Sequence, residues 1–208
     1  MNLSRALVEH VHAIRYDTLP EEAREQAKYF LLDFLGVTLR AREAASSRVF
    51  CSFIRKRAPQ DGPCTVIGSG LRTDAPNAAL ANGGIAHALE MDDVTTRSSL
   101  HPAVSVMPST LAVAEAHQGD PRRVIAAIVA GYEVTNRVGN AINPTSHYKR
   151  GFHPTGTCGT FASSVTASKM HFAKKAIANP RIASRTIRTP IVSGSLEVST
   201  PHAVGTSW

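Results

Sequence analysis

The stretch "DPRRVIAAIVAGYEVTNRVGNAIN", Asp120–Asn143, decides the fold class. Asp120 reads as a helix cap, with Pro121 behind it in the first turn. Val124, Ile128, Tyr132 and Val138 then fall on one side at helical spacing, and Asn143-Pro144 closes the run. Reading outward, the same period recurs. Leu3, Leu7, Val11 and Ile14 predict a helix over 2–16. Thr18 and Pro20 announce a second, with Glu21 and Glu22 in its first turn and Ala23, Ala27, Phe30, Leu31 and Phe34 on its apolar face. "SSRVFCSFIRKRA" (46–58) predicts a third, ending in solvated Arg55, Lys56 and Arg57.

"TDAPNAALANGGIAHALEMDD" (73–93) restarts helix, capped by Thr73 or Asp74. Gly83 and Gly84 each cost that helix about 1 kcal/mol relative to alanine, which close approach of a neighbour would explain. "PSTLAVAEAH" (108–117) gives another helix that Pro108 begins or kinks. "TGTCGTFASSVTASKM" (155–170) is a helix of small residues suited to tight burial. Only "CTVIGSG" (64–70) reads as strand. The expectation is an all-α, bundle-like domain over residues 1–170. A divergent, loosely ordered tail over 171–208 follows, where Pro180, Pro190, Pro201 and many Ser/Thr break the period.

The 208-residue chain carries a net charge of +7. Lys174, Lys175, Arg181, Arg185 and Arg188 against Glu197 place +4 of this in residues 171–208, leaving +3 for the first 170. No aromatic-basic stripe accompanies the charge, so nucleic acid is not the expected partner. No apolar run is long enough to span a bilayer, and the N-terminus lacks the features of a signal peptide, so a cytoplasmic protein is expected. Cys51, Cys64 and Cys158 are odd in number and lack metal-type spacing, the pattern of free thiols in a reducing compartment.

Two His-Pro pairs stand just ahead of helical stretches, His101-Pro102 in "SSLHPAVS" and His153-Pro154 in "GFHPTGTCGT". A histidine before an N1 proline sits at the positive end of the helix dipole, where anions are favoured. The dipole is expected to lower the histidine pKa and favour a neutral imidazole able to act as base or donor. Thr155 adds a hydroxyl, Gly156 and Gly159 would let backbone approach a ligand, and Lys149 and Arg150 add positive charge. Such an assembly suits a carboxylate-bearing substrate. The acidic run "HALEMDDVTTRSSLHP" (87–102) contributes Glu90, Asp92 and Asp93. If it is helical, His87, Glu90 and Asp93 share a face, and His87, Glu90, Asp93 and His101 could form a metal site. Packed loop histidines and an acidic cap paired with Arg97 would explain the same residues without function.

"NAALANGGIAHALEMDD" (77–93), "LHPAVSVMPSTLAVAEA" (100–116), "AGYEV" (130–134) and "GFHPTGTCGTFASSVTASK" (151–169) together resemble the MmgE/PrpD family, in consistent order from Leu3 to Met170. The resemblance implies a large helical domain and a smaller α/β lid, with the active site between them. It implies homodimers that need no metal or other cofactor. The chemistry implied is that of lyases and isomerases such as 2-methylcitrate dehydratase, cis-aconitate decarboxylase and iminodisuccinate epimerase. These labilise a proton next to a carboxylate of a small di- or tricarboxylate. Carried over by motif, His101, His153 and Glu90 are the expected catalytic residues. Asp92, Asp93, Lys149, Arg150 and Thr155 are the expected substrate contacts.

Where the family's acidic motif reads Asp-aromatic-Asp-Asp-Thr, this chain reads Glu90-Met91-Asp92-Asp93-Val94, with a longer leading carboxylate and no hydroxyl at the last position. After Met170 the family's basic segment with its lysine, and then its lid, do not follow. The expectation is therefore a truncated family member whose lyase or isomerase activity is impaired. The alternatives are a metal-dependent hydrolase built on His87, Glu90, Asp93 and His101, or a non-catalytic remnant that binds a partner.

Overall fold

The computed structural model describes residues 3–178, the last seven of them as helical backbone only. From residue 179 on, the expected tail lies outside the described residues. The described chain is all-α apart from one hairpin. Its helices are α1 (Leu3–Ala13), α2 (Glu21–Ala41), α3 (Ala45–Arg57), α4 (Ala75–Ala86), α5 (Ala103–His117), α6 (Pro121–Ala141), α7 (Pro144–Lys149) and α8 (Pro154–Ala178). Short 3₁₀ turns lie at Tyr16–Thr18 and His87–Leu89.

Helix α6 is the axis of the core. Asp120 caps it by accepting from the Arg122 N–H, with Pro121 next, as its sequence predicts. It is buried on more than the one expected side: Ile125, Ala127, Ile128, Ala130, Tyr132 and Val134 are all buried, because α2, α5 and α8 pack around it. Phe34, Met107, Ile128 and Tyr132 meet in the main cluster, and Phe30 stacks on Tyr132 with ring centroids 4.8 Å apart. Small residues let α8 lie close: a side chain at Gly131 would sit 2.6 Å from the Thr166 methyl and 2.9 Å from Val106. Lys169 ties α8 to the end of α1, donating to the Val11 and Ile14 carbonyls at 2.8 and 2.7 Å.

Two local expectations change and a third is narrowed. Thr18 does not cap α2; its hydroxyl donates back to the Arg15 carbonyl, and Pro20 precedes the helix. The strand at Cys64–Val66 has a partner, Leu71–Thr73, in an antiparallel hairpin. Gly68 and Gly70 turn it at φ +71° and +72°, a backbone region open to glycine at little cost. Of the two expectations for Pro108 the first is excluded: it does not begin α5 but lies buried inside it.

Pro108 also explains Gly83. Proline has no N–H, so the Val104 carbonyl four residues back loses its helical donor. Gly83 of α4 faces that oxygen: a β-carbon there would be 2.7 Å from it. At Gly84 a β-carbon would fall 2.2 Å from the Phe50 ring. Gly36 of α2 is the opposite case, exposed and with nothing within 4 Å of an added β-carbon. Gly83→Ala is therefore expected to destabilise by about 1–2 kcal/mol, overpacking outweighing the gain in helix propensity. Gly36→Ala is expected to stabilise by about 0.5–1 kcal/mol. Urea melts of the two variants check this; changes of the same sign would contradict it.

Candidate active site

The site forms where α4 ends. Helix stops at Ala86, a 3₁₀ turn covers His87–Leu89, and Glu90 takes a left-handed conformation at φ +51°, costly for a non-glycine residue. The acidic run is thus a loop and not a helical face. Its two aspartates part company. Asp93 accepts from the Ala103 N–H at 2.9 Å, capping the start of α5, and from the Tyr132 hydroxyl at 2.7 Å, fastening that start to α6. Residues 94–100 close back on themselves through a Thr95–Leu100 bridge, and Thr95 and Ser98 each donate to the Asn136 side-chain oxygen at 3.3 Å.

Asp92 takes the central position. It is buried, with its side chain 1% exposed. Nδ1 of His87 lies 3.1 Å from both carboxylate oxygens. Nδ1 of His101 lies 3.1 Å from Oδ2, an ion-pair contact outside hydrogen-bond alignment. The two rings meet edge to face at 4.9 Å. With both Nδ1 atoms on Asp92, the Nε2 atoms are the ones that meet Glu90, at 3.3 Å for His87 and 3.9 Å for His101. Glu90 itself is largely solvated, its side chain 69% exposed. His153, exposed at the start of α8, has its ring 6.4 Å from that of His87 and 5.5 Å, edge-on, from that of Tyr148. The His101 N–H donates to the buried Thr155 hydroxyl at 3.0 Å, locking the two His-Pro segments together.

Protonation follows from this packing. Burial alone would push the Asp92 carboxyl up, but the adjacent His101 and His87 imidazoles outweigh it and hold the carboxyl below its usual range. Asp92 in turn raises the His101 pKa against the opposing effect of burial. The expectation of a lowered histidine pKa is thus overturned for His101: a carboxylate 3.1 Å away outweighs a partial dipole charge. Asp93, desolvated and facing the charges of Asp92 and Asp33, is pushed up to about 6 despite its two donors.

The structure therefore gathers His101, Glu90, Asp92 and, beside them, His153. It turns Asp93 away to a structural role, and Thr155 holds backbone. Lys149 and Arg150 lie exposed at the end of α7, with Arg150 over the Phe152 ring at 5.8 Å. Gly159 serves the approach of α8 to Ser105 of α5, where a β-carbon would be 2.9 Å away. Cys158 is buried, and burial raises its thiol pKa, which leaves it a poor nucleophile. His87, which the sequence places only in the metal set, is brought against Asp92 by the fold. That set is corrected too: Asp93 is engaged elsewhere, and His87, Asp92 and His101 are the groups whose ligand atoms lie within 4.8 Å of one another.

Among the described residues, no helix is long and apolar enough to cross a membrane. The chain is 28% identical over 176 residues to the cis-aconitate decarboxylase-like protein oryM of Aspergillus oryzae, covering 81% of this chain and 36% of that protein. It is 30% identical over 159 residues to the cis-aconitate decarboxylase of Aspergillus terreus, covering 74% of this chain and 32% of that one. The chain thus spans about a third of the length of the curated relatives it matches. Residues 5–179 match the MmgE/PrpD N-terminal domain, taking in both His-Pro segments and the loop between α4 and α5. On that match, with the expected motifs in order along an all-α fold, the chain belongs to the MmgE/PrpD family.

Proposed function

We propose that the histidine–aspartate cluster belongs to a cytoplasmic, cofactor-free lyase or isomerase. It would bind a small di- or tricarboxylate and move a proton at the carbon next to a carboxylate. The observation that carries this reading is Asp92, a buried carboxylate touching Nδ1 of both His87 and His101. Its hydrogen bond to His87 Nδ1 sets the tautomer that turns the His87 Nε2 toward Glu90 and the opening, and its charge beside His101 stabilises the imidazolium there. The abstracted proton goes to Nε2 and the C–H electron pair passes into the neighbouring carboxylate. Loss of water, or return of the proton on the other face, follows. In a decarboxylation the same imidazolium delivers its proton to the carbon that CO₂ leaves. The charge that develops is met by imidazole donors and the start of α8. Cis-aconitate, named in the relatives, is a substrate of this class. Glu90 would serve as a second proton carrier, and the homodimer of the family is the assembly proposed.

The cluster is open. Glu90 and His153 are exposed, and catalysis of this kind depends on a dry, preorganised site. The 208-residue chain alone is expected to bind cis-aconitate, 2-methylcitrate or iminodisuccinate weakly, without appreciable turnover, and to lose that binding in His101→Ala. Calorimetry and a turnover assay check this. Undiminished binding in His101→Ala contradicts the site, and robust turnover abolished by His153→Ala contradicts the role given to exposure.

A second reading, metal-dependent hydrolysis, is favoured by one observation, the ligand spacing of His87, Asp92 and His101. It requires stoichiometric metal in protein purified without chelator.

A further inference from the structure

Away from this cluster, the last residue of α5 meets α8. Nε2 of His117 lies 3.2 Å from Nδ1 of His171, with the rings at 69° and their centroids 4.9 Å apart. We propose that His117 and His171 form a two-imidazole site for a borderline divalent transition metal such as zinc.

Three features support it. Two imidazole nitrogens bound to one tetrahedral zinc at about 2.05 Å stand about 3.3 Å apart, so the ligand spacing exists without rearrangement. His117 ends α5, where the helix carries partial negative charge and favours a cation. Beside the pair lies an open, shallow recess lined by Val113, His117, Ala167, Ser168 and His171, which leaves room for water to complete the coordination. Imidazole pairs select zinc, nickel or copper over magnesium or calcium, which prefer oxygen ligands. In the metal-bound form His117 carries its proton on Nδ1 and His171 on Nε2, so both lone pairs face the ion. The competing arrangement at this distance is a hydrogen bond between two neutral rings.

The test is calorimetric titration of the full 208-residue chain with zinc chloride in a non-coordinating buffer, repeated with magnesium chloride. The native chain and the variants His117→Ala, His171→Ala and His87→Ala are compared. Histidine NMR spectra verify that each variant keeps its fold. The proposal expects a saturable zinc site, no magnesium site, and loss of the zinc site in His117→Ala and His171→Ala but not in His87→Ala. Absence of zinc binding, survival of the site in His117→Ala, or its loss only in His87→Ala would overturn the proposal; the last would assign the metal to the His87–Asp92–His101 cluster instead.

Discussion

In Asp92→Asn, the His101 imidazole is expected to titrate at lower pH than in the native chain, and the proposed tricarboxylate binding to weaken markedly. The carboxylate is what raises the His101 pKa, and asparagine keeps its size but not its charge. Asparagine also presents an amide N–H₂ at one of the two oxygens that His87 Nδ1 meets, beside the His101 Nδ1. At least one ring must then turn or change tautomer, and its Nε2 is no longer set to carry a proton. In an assembly that turns substrate over, loss of a positioned general base or acid is worth roughly 10²–10⁴-fold in rate. The change is isosteric, so the melting transition should remain cooperative. NMR titration of the histidine ring protons reads the first effect, and calorimetry with cis-aconitate reads the second. An unchanged His101 midpoint in a folded variant would show that the contact does not govern its protonation.

The second large effect is on stability against pH, and Asp93 sets its direction. Its folded pKa is raised to about 6, against about 3.9 in an unfolded chain. Below pH ~4 both states hold the proton and the group contributes nothing. Between about 4 and 6 the unfolded state releases it first, so stability falls, by roughly 3 kcal/mol in all. His101 adds to the fall at higher pH: its raised pKa gives stability that is present below about 6.5 and lost as pH climbs through the folded value. Asp92 acts in the other direction and lower down, its contribution vanishing only as pH drops below about 4. Urea unfolding should therefore show a more stable chain at pH 4.5 than at pH 7.5. In Asp93→Asn the decline between 4 and 6 should disappear, even though the variant is less stable overall for leaving one of two buried donors unpaired. An equal decline in both proteins would remove Asp93 as its cause.

Much of this was legible in the sequence, for physical reasons that can be named. Helix α6 announced itself because Asp120, Pro121 and the apolar period agree. The His-Pro segments announced themselves because proline suits the first turn of a helix and little else there. The hairpin was half hidden because Leu71–Thr73 is three residues long and carries no alternation. The course of the acidic loop was hidden more deeply. Nothing local marks Glu90 as left-handed, since glycine or asparagine is the usual sign of that conformation. Without that turn, His87, Glu90 and Asp93 look like one helical face. With it, Asp92 moves in between the histidines and Asp93 swings to Tyr132, which lies 39 residues along the chain. That exchange is set by tertiary packing. Val94 illustrates the same point: the hydroxyl absent at that position is present on Thr95, where the loop's own bridge holds it toward Asn136.

The central claim is that His87 and His101, set by Asp92, are the anion-binding and proton-carrying pair of this domain. The direct test follows the imidazole resonances of the 208-residue chain during titration with cis-aconitate. His87 and His101 are expected to shift together along one saturable curve, with His153 following and His117 unaffected. Resonances of His87 and His101 that stay fixed while the ligand binds elsewhere, or that do not respond at any concentration, would contradict the account.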